Sequence, residues 1–430
     1  MNILYLNCHD AGRYLQPYGY AVPAPNLQAL AERGTLFRNH HSPSPTCSPS
    51  RSTLLTGLYP HENGMIGLAH RGFKLKSPVL HLAKHLQSRG YRTAVSGVQH
   101  ETRNAKEHYD EVLSIPDLDP DPDRGIHAAN VDRLRAEAAA DFIRRDHDKP
   151  FFLACGFILP HRKFQRESAY NPNTVRPPEP LMDRADLRAD WARYMTAANS
   201  MDASAGILLD ALRESGLDKD TLVVFTSDHG PAFPEMKCRL TDFGSNVALI
   251  VDFPGNPARG KAVDAMVSNL DVIPTLAEIA GFDPQPGLRG RSLVPLMNGE
   301  KEELHDEIFG HVNYHAAYEP MRSVRTETHK LIRMIDSDSR PVPGNCDNSP
   351  SKDFYFKEAD TGAEPYANVM LFDLRKDPME RHNRAEDPAY AEIRKDLETR
   401  LQRHMEETDD PALTGAVPAP EGVEVTPRMQ

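Results

Sequence analysis

The chain has 430 residues, with 50 Lys and Arg against 62 Asp and Glu, giving a formal net charge of −12. That length accommodates one large domain and a smaller one. The acidic balance excludes a general nucleic-acid binder, which needs a basic surface, and it repels anions at long range, so an anion site must carry its own positive charge. The chain opens on the apolar stretch Met1-Asn2-Ile3-Leu4-Tyr5-Leu6 rather than on a basic leader. No apolar run approaches the roughly 20 residues that cross a bilayer. Five dispersed cysteines, an odd number, are no disulfide framework and suit a reducing compartment. A cytoplasmic chain with no membrane and no nucleic-acid partner is the expectation.

Strand and helix signals then alternate along the chain. Ile3 to Leu6 predicts a strand, and Pro25 opens a helix that stops at Gly34. Leu80 to Ser88 has helical spacing closed by Gly90, and a strand follows over Arg92 to Ser96. Phe151 to Phe157 reads as a strand buried on both faces. A long helix is predicted from Leu187 to Leu212, then strands at Leu222 to Phe225 and Val247 to Val251, then a helix over Asp271 to Ala280. After about residue 300 the rhythm changes. Glu307 to His311, Met321 to Arg325, Lys330 to Ile335 and Leu371 to Leu374 read as strands, Asp336 to Lys352 as an exposed loop, and Pro388 to Glu407 as an amphipathic helix. The order predicts an α/β catalytic domain, residues 1–315, with a large, mostly parallel sheet between helices. A smaller C-terminal α+β subdomain, residues 316–430, is expected to hold an antiparallel sheet and an extended tail.

Ligands of doubly wound sheets sit beyond the carboxyl ends of the strands. Two predicted strands end in conspicuous groups, Cys8-His9-Asp10 and Ser227-Asp228-His229-Gly230. Carboxylates and imidazoles from two strand ends can converge on one divalent metal, although an Asp there is also a common turn former. A helix is predicted to begin just after Cys47, with Pro49 in its first turn. Cys47 then sits at a helix N-terminus that favours an anion, and Arg51 lies four residues on, on the same face.

Cys47-Ser48-Pro49-Ser50-Arg51, continuing into Leu54-Leu55-Thr56-Gly57, resembles the Cys-x-Pro-x-Arg signature of the type I formylglycine-dependent sulfatases of the alkaline phosphatase superfamily. His61-Glu62-Asn63-Gly64-Met65, Pro320 to Arg325 and Leu371 to Leu374 with Asp377-Pro378 are most similar to its sulfamidase and arylsulfatase branch. The resemblance spans nearly the whole chain. It implies an alkaline-phosphatase-like fold and hydrolysis of a sulfate monoester or a sulfamate, either an aryl sulfate or an N-sulfoglucosamine-type substrate. It also implies conversion of Cys47 to formylglycine by a sulfatase-maturation enzyme, with the formylglycine hydrate as nucleophile.

Carried over by position, the resemblance makes Asp10, Asp228 and Cys47 metal ligands and sets Arg51 on the hydrate. It places His100 beside the hydrate and His161 against sulfate and leaving group, with Lys237 as a basic sulfate ligand. His311, with Asn313 and His315, is expected on a returning segment at the substrate rim. Three positions depart from the family pattern. His9 and His229 replace an aspartate and an asparagine at the metal, and Val98 replaces a lysine. Imidazole is a poor calcium ligand, so the divalent ion is expected to be manganese or another transition metal as readily as calcium. His229 also resembles the formylglycine phosphonate monoester hydrolases, which keeps a phosphonate or phosphodiester substrate as the alternative. A non-catalytic metal- and anion-binding relative is the third reading. Among the other histidines, His40 and His41 are read as loop residues beside the pocket, and His81 and His85 as one face of a helix. The small anionic substrate is the one partner the motifs specify, and the extended tail is compatible with a homodimer.

Overall fold

The computed structural model describes residues 1–336, 341–358 and 367–428. In chain order its strands are β1 (Asn2–Cys8), β2 (Thr35–Phe37), β3 (His40–His41), β4 (Arg92–Gly97), β5 (Glu111–Val112), β6 (Phe151–Phe157) and β7 (Thr221–Ser227). They continue with β8 (Leu249–Asp252), β9 (Lys261–Val263), β10 (Val267–Ser268), β11 (Ile308–Tyr314), β12 (Tyr318–Arg325), β13 (His329–Met334) and β14 (Val369–Asp373).

Eight of them form one sheet in the order β5-β4-β6-β1-β7-β8-β2-β9. β1, β6 and β7 are buried along their whole length, so their near-continuous apolar runs follow from helices on both faces. On one face the helices Arg124–Ile143 and Ala185–Glu214 cover Leu4, Leu6, Leu153, Val223 and Phe225. On the other, Cys47–Thr56, Leu82–Ser88 and Val272–Ala280 cover Ile3, Tyr5, Phe152, Leu222 and Val224. Alternate residues of one strand thus enter opposite cores, as the strand period requires.

The sheet is parallel except at β8, which runs antiparallel to both β7 and β2. The helix Arg124–Ile143 has no counterpart among the predicted elements. It lacks a clean apolar stripe, and its helical signal is its alanine content plus Asp123, whose carboxylate accepts from the N–H groups of Gly125 and Ile126.

The second sheet, β11-β12-β13-β14, is antiparallel throughout. The helix Ala391–Glu407 covers it, through Leu397, Leu401 and Met405 on Val324, Leu331 and Leu371. β11, within the residues 1–315 expected to form the large domain, pairs with β12 of the expected subdomain.

The expected exposed loop over Asp336 to Lys352 is also corrected over its described part, since residues 337–340 lie outside the described residues. Asn345 is buried, accepting from the Ala317 N–H and donating to Glu319. The tail returns to the large domain, where Glu424 N–H donates to Arg71 O and the Arg71 guanidinium donates to Thr426. Among the described residues no helix is long and apolar enough to cross a membrane.

Candidate active site

Neighbouring strands β4, β6, β1 and β7 end level with one another, with Gly97 opposite Gly156 and Cys8 opposite both Phe157 and Ser227. Each strand therefore releases its next residues at the same edge. β4 leads to His100, β6 to His161, β1 to His9 and Asp10, and β7 to Asp228 and His229. Gly156 is required here, because a Cβ on it would fall 1.7 Å from the Val98 carbonyl oxygen. Asp10 and His100 both hold φ at 55°, a left-handed conformation costly for non-glycine residues. Ser227 ties the two central turns together by accepting from the Ala11 and Gly12 N–H groups.

The helix Cys47–Thr56 points its first residue at this edge, and all ten of its side chains are buried. Cys47 Sγ lies 3.3 Å from His229 Nε2. One ligand atom from each of His9, Asp10, Cys47 and Asp228 falls within 4.8 Å of the others, and so does one from each of His9, Cys47 and His100. His229 Nε2 is 3.4 Å from Asp10 Oδ1 and 3.6 Å from Asp228 Oδ2. Its Nδ1 faces the Gly230 carbonyl at 2.9 Å, which fixes Nδ1 as the protonated nitrogen and leaves Nε2 a lone pair toward the cluster.

Arg51 donates through Nε and Nη2 to Asp228 Oδ2 at 3.3 and 3.1 Å, and through Nη1 to the Val98 carbonyl at 3.4 Å. The backbone of Val98 thus serves the site although its side chain cannot. Lys237 Nζ sits 3.2 Å from Asp10 Oδ2 and 3.0 Å from Asp347 Oδ2. His161 Nε2 is 3.8 Å from Asp10 Oδ2, and a quarter of that side chain is exposed. It opens onto a cleft of ≈ 570 Å³ lined also by Arg124, His127, Lys163 and Asp347.

These contacts set the charges. Burial alone would raise the carboxyls of Asp10 and Asp228, yet Lys237 and His161 beside the first, and His229, His9 and Arg51 beside the second, hold both well below the usual range. Burial works against the Lys237 ammonium, but Asp10 and Asp347 keep it protonated well past its ordinary value. Burial, then His9 and Arg51, pulls His100 down to about 2, so it is a neutral imidazole. Burial also pushes the Cys47 thiol up, which keeps an unmodified sulfur protonated. Both ring nitrogens of His9 and Oδ1 of Asp10 are buried without an aligned hydrogen bond among the described residues. His9 Nδ1 approaches Asp228 Oδ2 at 3.0 Å out of line. Buried lone pairs facing one point fit a divalent cation.

Nine of the residues singled out in the sequence, His9, Asp10, Cys47, Arg51, His100, His161, Asp228, His229 and Lys237, meet at this edge. His311 does not line the rim. It is fully buried, with its ring against Tyr59, His61 and His404. A register shift between Val312 and Tyr314 ends the regular pairing of β11. His315, just past it, is the residue that comes within electrostatic reach of Lys237, Asp347 and His229. Asp347 was not assigned to the site from sequence, because only the tertiary return of its segment brings it here. Of the remaining histidines, His81 caps the helix Leu82–Ser88 by accepting from the Ala83 N–H, and His85 binds the Asp283 carbonyl.

The family model described as sulfatase matches residues 2–282, and that described as N-sulphoglucosamine sulphohydrolase, C-terminal, matches residues 239–340. The chain is 31% identical to the N-sulphoglucosamine sulphohydrolase of Homo sapiens over 98% of its own length and 92% of that protein. Two solved structures share the fold. BT4656, in complex with its substrate D-glucosamine-2-N,6-O-disulfate, superposes with a TM-score of 0.74 at 18% identity, over 95% of this chain and 98% of that one. The phosphonate monoester hydrolase of Agrobacterium radiobacter superposes at 0.71 with 22% identity, over 95% and 96% of the two chains. A cysteine-headed helix aimed at metal-competent strand ends, matched over almost the whole chain, is thus that of a sulfuric ester hydrolase, and the chain belongs to the sulfatase family.

Proposed function

We propose that the protein hydrolyses the sulfamate of an N-sulfoglucosamine-type substrate, using formylglycine formed from Cys47 and one divalent metal. The observation that carries this reading is the placement of Cys47 and Arg51 against His9, Asp10, Asp228 and His229 in a chain 31% identical to a named N-sulphoglucosamine sulphohydrolase.

His9, Asp10, Asp228 and residue 47 would hold the metal, with His229 Nε2 facing it. Bound there, the cation supplies Lewis acidity toward a sulfuryl oxygen. Formylglycine supplies, as its hydrate, the attacking hydroxyl. Arg51 anchors Asp228 and keeps positive charge beside residue 47, and Lys237, gripped by Asp10 and Asp347, brings a second cation to the sulfuryl oxygens. His161, with a quarter of its side chain exposed toward the cleft, hands a proton to the departing nitrogen or oxygen. His100, within the residue 47 cluster, would take a proton from that side chain so that sulfate can leave. Two imidazoles around the metal favour manganese or another transition ion over calcium.

Comparing kcat/KM on N-sulfoglucosamine, an aryl sulfate and an aryl phosphonate tests the substrate class. The sulfamate is expected to lead, and a phosphonate faster by orders of magnitude replaces this reading with the phosphonate hydrolase one. Mass spectrometry of the Cys47 peptide from the native host tests the modification and the need for a maturation enzyme. The five free cysteines support a cytoplasmic site of action. The homodimer carries over as an expectation for light scattering.

A further inference from the structure

A second knot of imidazoles lies away from the pocket, where the two domains meet. It joins His61 of the short helix Pro60–Asn63, His311 of β11 and Asp410, just beyond the helix Ala391–Glu407. One ligand atom from each falls within 4.8 Å of the others, and the three residues are 3%, 0% and 1% exposed. His404, in the last turn of that helix, points Nε2 at His311 Nε2 at 3.2 Å. Asp410 Oδ2 stands 3.7 Å from the same nitrogen. A tetrahedral ion with N and O ligands at its usual bond lengths separates those ligand atoms by about 3.3–3.5 Å. His311 Nε2 and Asp410 Oδ2 thus stand a few tenths of an ångström beyond that edge length, while the contact with His404 is a hydrogen bond.

The polar accounting points the same way. Both ring nitrogens of His61 and Nδ1 of His311 are buried with no hydrogen bond among the described residues, a costly state for groups sealed from water. Asp410 is turned by Arg322, which donates Nε to Oδ2 at 2.5 Å and Nη2 to Oδ1 at 2.8 Å, while Ala412 N–H donates to Oδ1. An ionised carboxylate accepts at about four positions, so Oδ2 keeps one lone pair on the His311 side. Arg322 orients the carboxylate in the way outer partners orient metal ligands.

We propose that His61, His311 and Asp410 form a second, structural site for a zinc-class transition cation, with His404 packed against His311 beside it. Its two imidazoles and single carboxylate disfavour calcium and magnesium, and full burial of all three is the mark of a structural rather than a catalytic ion. The cation ties the segment that follows the Cys47 helix to the first strand of the antiparallel sheet and to the end of its covering helix. None of these residues belongs to the proposed catalytic set, so the site stands or falls independently of the substrate.

The test loads cobalt(II) alone into an Asp10→Asn/Asp228→Asn variant, which silences the pocket. About one equivalent per chain is expected, with the intense visible absorption of four-coordinate cobalt and an imidazole-rich X-ray absorption signature. His61→Gln and Asp410→Asn in that background, each with unchanged circular dichroism, are expected to weaken cobalt binding at least about tenfold. Asp410→Asn keeps an oxygen for the Arg322 guanidinium and the Ala412 N–H, and so stays informative where His61→Gln does not fold. The unaltered chain, with its pocket intact, is expected to take up two equivalents of metal. A silenced chain that takes up no cobalt overturns the proposal. Bound cobalt with fewer than two imidazoles, or cobalt retained in full by both variants, also overturns it.

Discussion

The pocket at the strand ends and the knot at the domain junction draw on the same side chains, histidines around aspartate with a buried arginine. Asp228 is held by Arg51 and Asp410 by Arg322. The difference lies in what surrounds them. The pocket has Cys47 at a helix N-terminus, Lys237 between two carboxylates, and His161 a quarter exposed to a cleft. At the junction His61, His311, His404 and Asp410 are all buried against Tyr59 and Phe309, with no cleft residue among them. Composition alone therefore does not separate a reacting site from a structural one. A group poised to react and a route for solvent do.

Variants at the two places should separate activity from stability, beginning with the largest effect. Cys47→Ala is expected to lower kcat by at least about 10⁴-fold, as loss of a nucleophile does, while the far-UV spectrum and thermal midpoint stay close to those of the parent. Residual activity near the parent level would remove residue 47 from the chemistry. His161→Gln should cost about 10²–10⁴ in kcat, and the loss should shrink on an aryl sulfate with a good leaving group. An equal loss on all leaving groups would deny His161 the role of proton donor. On the junction side, Arg322→Met leaves the buried Asp410 carboxylate without its partner. It should destabilise the fold by about 3–5 kcal/mol in urea titration with KM unchanged; a stable variant with altered KM would reverse the comparison.

The smallest effect is a pH dependence. His40, fully buried on β3, is held by that burial at about 4, against 6.5 in an open chain. Between those values the unfolded chain binds the proton and the folded one does not. Stability contributed by neutral His40 is therefore complete above about 6.5 and is lost as pH falls toward 4, by up to about 3 kcal/mol. Denaturant midpoints across that range should decline, and His40→Asn should flatten part of the slope.

Much of the site was legible because its parts are contiguous or end a strand. Cys47 to Arg51 is one helical turn, and His9-Asp10 and Asp228-His229 each follow an apolar run that can only be a buried strand. The antiparallel course of β8 was not legible, since an apolar run buried on both faces reads the same in either direction. His311 was misplaced because its segment was read only as returning toward the rim, and which of its residues faces the site depends on a register shift that no residue type announces. Asp347 sits in a stretch whose Pro, Gly, Asp and Ser content spells a solvated loop, and its ion pair with Lys237 depends on a return across the whole large domain.

The burial of Cys47, 4% exposed beneath its own helix and the strand ends, sets an order of events. An enzyme that converts this side chain must reach it while residues 44–57 are still an extended segment, because in the finished fold the sulfur is shut away. For the proposed formylglycine, maturation and folding then compete for the same nascent chain. Protein that folds first is trapped as a stable, unconverted species that later addition of the maturation enzyme does not rescue, so specific activity should depend on the rate of synthesis as well as on sequence.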